Sequence, residues 1–325
     1  TFHRLEPLGE RALYLPHATS LRMGPLGYQS DAQGNLGVSY NCLQSYADSL
    51  REALTTPYAD YEEIGVRDGD DYRQLSTSLL QIENEFYGTI RPKQPTLPGE
   101  RPLPALSRRG VDYVEVRLMD LDPYSPIGIT DDTIRFLDIF LLHCLLQESP
   151  DDTPESIAAL SRNRHAVAQR GRDPDLELER DDGSRVALLD WGRELLQACE
   201  PIADALDVAH PEAGGAYRAA LAGAAARLAD STLTPSARVL EEIRQSPTQS
   251  IIDFGLARSL AHRDLLMREP LPPEVTERYA RLAAESVAKQ RALEAADTIP
   301  FEAYRQQYLG QPLLDGIPPR VVAGA

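Results

Sequence analysis

The 325-residue chain is poor in cysteine: Cys42, Cys144 and Cys199 are all it has, and none lies near another in sequence. An odd, widely spaced set rules out a disulfide framework and a C-x-x-C motif, and it fits a reducing compartment. Cys144, inside FLLHCLLQ, reads as a small core residue rather than a nucleophile. Long apolar runs are missing too. The best stretch, FLDIFLLHCLL at 136–146, is short and broken by Asp138 and His143, so no membrane span is expected. The first residues, TFHRLEPLGERALYLP, lack a basic segment followed by an apolar one, which argues against a signal peptide. They also lack an initiator methionine, as a processed chain or a fragment beginning mid-domain would. Bases are in deficit, 33 against 50 acids, for a net charge of −17. Non-specific nucleic-acid binding, which needs clustered Lys and Arg, is therefore disfavoured, although a locally positive cleft could still take an anion. The histidines at 3, 17, 143, 165, 210 and 262 are scattered, and no H-E-x-x-H, zinc-spaced Cys/His set, Walker A loop, G-x-G-x-x-G or G-x-S-x-G is present. His143 reads as a satisfied core histidine and the single Trp191 as packing.

What is present divides the chain unevenly. In VDYVEVRLMD (111–120), Val114, Val116 and Leu118 alternate with Tyr113, Glu115 and Arg117, the pattern of a strand with one apolar face. STSLLQIENEFYGTI (76–90) sets Leu80, Ile82 and Phe86 on one parity against Gln81, Glu83, Glu85 and Tyr87 on the other. It reads as a second strand with an acid-bearing face. Residues 12–24 read as extended with a break at Pro16, and 24–35 as loop. Residues 41–54 have helical spacing ahead of Pro57, and 68–75, with its acid run DGDDY, is a solvated turn. The Pro-rich stretch 91–110 reads as a connection. After the turn at 122–129, Thr130 with Asp131 and Asp132 starts a helix that is apolar over most of its surface and so is expected to be buried. From about 155 onward helical spacing dominates, ending in a long charged helix over 272–297 with Pro-Pro at its start. The fold class is α+β: residues 1–130 hold most of the sheet, mostly antiparallel, and 131–325 form a mainly helical part packed against it.

Two strands with acids on one face repel unless a cation lies between them. Mg²⁺ held by one or two carboxylates together with phosphates would satisfy both, and Arg117 has the planar fork for a phosphate. The other reading is a solvated sheet face with Glu–Arg pairs across strands. Arg22 and Tyr28 flank a Gly-Pro loop that could be a binding edge or a plain surface turn.

YLPHATSLRMGPLGY, LLQIENEFYGTIRPK, VDYVEVRLMDLDPYSPIGI, IRFLDIFLLHCLL and EAADTIPF, in that order from about residue 5 to 305, resemble the proteobacterial glutamate–cysteine ligase family, also called γ-glutamylcysteine synthetase. The resemblance implies a glutamine-synthetase-like catalytic sheet and a cytoplasmic ATP-dependent acid–amino-acid ligase, monomeric at full length. Its ligands would be ATP, Mg²⁺, L-glutamate and L-cysteine, and its reaction the first step of glutathione synthesis. By the same resemblance Glu115 matches a magnesium ligand and Arg117 the residue on the transferring phosphate. Arg22 matches the arginine on the cysteine carboxylate, and Tyr28 and Tyr87 match aromatic residues around the cysteine side chain. Glu83, Glu85, Arg91 and Lys93 lie in a matching motif without an assigned role.

Nothing in the chain matches the long N-terminal part with which this family begins. The resemblance therefore implies a C-terminal portion, incompetent by itself for lack of most of the metal cluster. A related ligase with another amine acceptor and a non-catalytic helical interaction module are the alternatives.

Overall fold

The structure is a computed structural model that describes residues 5–9, 12–34 and 36–313. His3 and Asn35 lie outside the described residues. The α+β reading holds, with the strands arranged as short antiparallel ribbons. β1 (Glu6–Leu8) pairs with β2 (Ala12–Tyr14), β3 (Arg67–Asp68) with β4 (Asp71–Tyr72), β5 (Ile90–Lys93) with β6 (Tyr113–Val116), and β7 (Glu177–Glu179) with β8 (Arg185–Ala187). Among the described residues, three of the four ribbons fall before residue 130.

Helix α1 (Leu43–Thr55) starts at a reciprocal cap. The Cys42 side chain accepts from the Ser45 amide while the Ser45 hydroxyl accepts from the Cys42 amide, satisfying donors a helix start leaves open. Its apolar face, Tyr46, Ala47, Leu50 and Ala53, packs against Val38, Leu80, Phe86, Leu103 and Leu106 to form the main core of the first part. Next comes α2 (Ala59–Ile64).

Two expectations fail here. Residues 76–90 form no strand before Ile90. The segment instead runs along the end of α1, with Leu79 and Leu80 amides donating to the Thr56 and Ala53 carbonyls, and then closes a 3-10 turn at Glu83–Glu85. Polar side chains have replaced a ladder: the Gln81 amide donates to Glu85 Oε2 and the Leu75 amide to Gln81 Oε1. Nor is 91–110 merely a connection. It holds β5 and α3 (Pro102–Arg109), because Pro102 and Pro104 sit in a first turn whose N–H groups need no helical partner.

The acid Glu100, just ahead of α3, receives both Nη atoms of Arg109 at 2.9 and 2.7 Å and the Leu97 amide at 2.9 Å. These bonds, Arg109's first, hold its carboxyl down to about 2 from an ordinary 4.5. A depressed folded-state value gives stability that is complete above 4.5 and is lost as pH falls toward 2. Glu100→Gln should therefore flatten the acid limb of the stability curve in that window while leaving the neutral arm's slope unchanged. A variant curve parallel to wild type between pH 4.5 and 2 would contradict this.

The helical part begins with α4 (Asp131–Leu146), where the Thr130 hydroxyl accepts from the Thr133 amide as the sequence suggested. The helix is not buried on most sides. Ile139 and His143 are inside, but Ile134, Leu145, Leu146 and Cys144 are exposed. Only one stripe of α4 meets α6 (Leu188–Ala209) and α7 (Ala216–Ala229), around Ile139, Cys199, Ala203 and Leu221. The core cysteine is thus Cys199, not Cys144. His143 is buried as read, yet its Nδ1 has no hydrogen-bond partner. Helix α5 (Pro154–Arg170) carries a second reciprocal cap, Thr153 with Ser156. Then follow α8 (Pro235–Gln245), α9 (Ile251–Leu266) and α10 (Pro273–Ala296), the last exposed at every position but Val275. Helix α11 (Phe301–Leu309) returns to the first part. Its Glu302 accepts from the Tyr72 hydroxyl at 2.6 Å, and Arg305 Nη1 donates to the Leu75 carbonyl at 2.6 Å.

Candidate active site

Three segments meet at the candidate site. The first is the loop through 19–30. There the Tyr28 amide donates to the Arg22 carbonyl at 2.5 Å, and a Cβ on Gly27 would collide with that same oxygen, so the tight turn requires glycine. The turn aims Arg22 at the ribbon, and its Nε and Nη2 donate to the Arg117 carbonyl at 3.2 and 3.1 Å. Both guanidiniums stand over the Tyr28 ring, Arg22 at 4.4 Å and Arg117 at 5.4 Å from its centroid.

The second segment is the turn at 83–88. Tyr87 meets Tyr28 with ring centroids 4.5 Å apart, tilted by 58°. Gln33 fixes this approach: its Oε1 accepts from the Tyr87 amide and its Nε2 donates to the Glu85 carbonyl, both at 2.9 Å. Gln33 carries no local signal, because its partners are more than fifty residues away.

The third is the ribbon itself. In β5–β6 Arg91 stands opposite Glu115 and Lys93 opposite Tyr113, and the Arg117 amide extends the ladder to the Thr89 carbonyl. Glu115 Oε2 lies 3.7 Å from Lys93 Nζ and 3.5 Å from Arg117 Nη1. Arg91 is buried. Its Nη2 donates to the Asn84 carbonyl at 3.1 Å and to the Phe86 carbonyl. Burial, and after it the charge of Arg117, pulls its guanidinium below the usual value.

So Arg22, Tyr28, Tyr87, Glu115 and Arg117, spread over 96 positions of sequence, come together in space. Tyr28, Tyr87 and Arg117 border a cavity of about 290 Å³ that Gln33, Tyr61 and Glu85 also line. The Tyr28–Tyr87 pair also lines a larger, mostly apolar cavity of about 750 Å³ that reaches Tyr40, Arg164 and Trp191. Trp191 packs as read, under the Arg180 guanidinium at 5.2 Å.

The paired acids expected from two strands do not meet. Glu83 is buried against Arg101, with Oε2 2.9 Å from Nη2, and Glu85 is engaged with the Gln81 amide. Glu115 is left among cations, and among the described residues no group of three or more His, Cys, Asp or Glu could hold a metal ion. The apolar parity of the strand is also uncovered in part, with Val114 50 % and Leu118 44 % exposed.

Two guanidiniums over a tyrosine pair beside a ribbon carboxylate have the chemistry to take a small anion, and comparison with known proteins gives the family. The sequence profile of the glutamate–cysteine ligase family matches residues 1–167. The chain belongs to that family. It is 44 % identical over 310 residues to the glutamate–cysteine ligase of Hahella chejuensis and 46 % over 306 residues to that of Pseudomonas fluorescens, covering 94 % of itself in each case. It spans 58 % and 57 % of those relatives' own lengths. The crystal structure of the Francisella tularensis glutamate–cysteine ligase in complex with AMP superposes with a TM-score of 0.86 at 35 % identity, over 94 % of this chain and 60 % of that one. No helix among the described residues is long and apolar enough to cross a membrane.

Proposed function

We propose that the chain carries the phosphate and cysteine side of an ATP-dependent ligase that joins L-cysteine to the γ-carboxylate of L-glutamate in the cytoplasm, acting as a monomer at full family length. In this reading residues 1–130 carry the site and 131–325 support it. A γ-carboxylate oxygen of glutamate attacks the terminal phosphorus of ATP and ADP leaves. The amine of cysteine then attacks the acyl carbon, phosphate leaves, and the amine loses a proton. The observation that carries the reading is the cluster of Arg22, Tyr28, Tyr87 and Arg117 next to Glu115, five residues that the family resemblance had singled out from distant parts of the sequence.

Arg22 approaches from the loop and offers a planar fork that suits the cysteine carboxylate, beside the Tyr28–Tyr87 pair that suits its side chain. Arg117 meets the transferring phosphoryl group, where catalysis is chiefly positioning and charge neutralisation. Glu115 suits Mg²⁺ as one hard oxygen donor: its side chain is about a third exposed, and Mg²⁺ is commonly held by one or two carboxylates plus substrate phosphates. When bound, the ion would neutralise phosphate charge. With a single carboxylate at the ribbon, the chain alone should be inactive.

The test uses a chimera in which this chain replaces the matching region of the Hahella chejuensis relative. The chimera should release phosphate from ATP only when glutamate and cysteine are both present, with cysteine preferred over other small amino acids. The 325-residue chain alone should release none. Turnover by the chain alone, or a chimera indifferent to cysteine, would overturn the reading.

A further inference from the structure

Arg91 and Lys93 stand on the same face of the β5–β6 ribbon as Glu115 and Arg117, since Arg91 is registered with Glu115 and residues two apart on a strand share a face. Three cations therefore surround one carboxylate. Glu115 pairs with two of them, its Oε2 lying 3.7 Å from Lys93 Nζ and 3.5 Å from Arg117 Nη1. Among the described residues Arg91 has no carboxylate in an ion pair with it. Its residue is 6 % exposed, its Nη2 is spent on two carbonyls, and its Nε is buried with no partner. A guanidinium held inside without a counter-ion is costly, and like charges on one sheet face repel. In a chain of net charge −17 this local excess is opposite in sign to the whole, and it attracts anions to one place.

We propose that Lys93 joins Arg117 as a direct ligand of a polyphosphate chain, and that Arg91 is the positioning residue beneath them that keeps the face positive and holds the turn bearing Tyr87. The identity of the anion rests on the ligase reading. The geometry of the site does not: Lys93 Nζ and Arg117 Nη1 both lie within 4 Å of Glu115 Oε2, so the two cations stand close enough together for neighbouring phosphate groups of one chain beside Glu115 to meet both. One is a compact point charge and the other a planar fork, the two modes by which proteins take phosphate. Side-chain exposures of 32 % for Lys93 and 28 % for Arg117 leave them open to a ligand but already partly stripped of water. Through its bonds to the Asn84 and Phe86 carbonyls, Arg91 couples the ribbon to the backbone on both sides of Glu85 and up to Tyr87.

The experiment is calorimetric titration of the 325-residue chain with sodium tripolyphosphate, ATP and adenosine, each without divalent metal, at two salt concentrations. Tripolyphosphate and ATP should bind, more weakly at the higher salt, and adenosine should not. Lys93→Met should weaken tripolyphosphate about tenfold and Lys93→Arg should restore it, a loss in the range of one charge-assisted contact. Arg91→Lys, which keeps the charge, should stay within about threefold of wild type, whereas Arg91→Met should lose about tenfold with its far-UV spectrum unchanged. Arg117→Ala serves as the reference. If it weakens binding while Lys93→Met does not, Lys93 is a surface ion pair and the proposal falls with the ligase reading intact. If neither variant changes tripolyphosphate binding, or the chain binds none, the phosphate role of Arg117 falls as well. ATP binding without tripolyphosphate binding would place recognition on the base and overturn the proposal.

Discussion

Arg117→Ala in the chimera should lower kcat for ligation about 10²–10³-fold, the range seen when one preorganised donor to developing transition-state charge is removed. Arg117 gives the fold little: its ion pair with Glu115 is at 3.5 Å and both partners are roughly a third exposed, so its net contribution to stability is about 0–1 kcal/mol. Arg22 is anchored on the Arg117 backbone carbonyl, not on the guanidinium, and that bond survives the substitution. The variant should therefore melt close to wild type and keep the position of Arg22. The loss should fall on kcat more than on the KM for cysteine, as for an interaction made mainly in the transition state. Arg117→Lys, with charge but no fork, should lie between. An unchanged kcat, or a loss confined to KM, would remove Arg117 from the chemistry and leave it as the support of the Tyr28 ring. Glu115→Gln provides the complementary result, with activity falling and the apparent affinity for Mg²⁺ falling with it.

How far the sequence went toward this site differs from segment to segment. Helix starts were legible because caps are local. Thr130 and the acids behind it marked α4, and both reciprocal caps follow from side chains within three residues of each other. Alternation found β6, since a period of two is a property of six or seven consecutive residues. The same alternation could not say which face is covered. Its apolar face was expected inside, yet Val114 and Leu118 are about half exposed, while the charged face holds the buried Arg91. Burial depends on which elements stand opposite, and that is not written in a strand. In 76–90 a pattern that fits a strand lost to local hydrogen bonds made by Gln81 and Glu85. In 91–110 prolines read as breakers are tolerated in the first turn of α3. In α4 the uniformly apolar sequence hides that a single stripe faces α6 and α7.

The site itself was not legible from periodicity. Arg22, Tyr28, Tyr87, Glu115 and Arg117 were singled out by resemblance to a family, and pattern alone left each of them a plain surface reading. What the structure adds is their contact and its reason: the tight turn at Gly27, the brace of Gln33, and the ladder that places Glu115 opposite Arg91. Glu83 shows the converse. It lies in the same matching motif and has the chemistry of a metal ligand, but it points inward, away from Glu115 and into an ion pair.

That ion pair is the second place where a single change should have a large effect. Glu83 and Arg101 side chains are each 3 % exposed. Glu83 Oε2 accepts from Arg101 Nε at 3.0 Å and Nη2 at 2.9 Å, and Oε1 accepts from the Leu103 amide at 3.4 Å. Arg101 Nη1 continues to the Leu309 carbonyl at 3.1 Å, its guanidinium lies 5.6 Å from the Tyr308 ring, and its amide donates to Gln311 Oε1 at 3.0 Å. The pair thus pins the turn before Tyr87, the start of α3 and the end of α11 at one point. Removing one partner leaves the other as an uncompensated buried charge, so Glu83→Gln should cost about 3–5 kcal/mol of unfolding free energy in urea. Arg101→Met should cost at least as much, because the Leu309 bond goes too. The pair is not thereby a large net source of stability, since desolvation offsets most of its attraction. The double variant Glu83→Leu/Arg101→Met should accordingly be more stable than Glu83→Gln alone, a coupling that independent sites do not show. Strict additivity of the two single losses would refute the ion-pair account. A metal-ligand role for Glu83 predicts the opposite pattern: little change in the stability of the metal-free chain, and no rescue by a second substitution at Arg101. The urea midpoints of three variants decide between an acid that holds the turn and an acid that holds an ion.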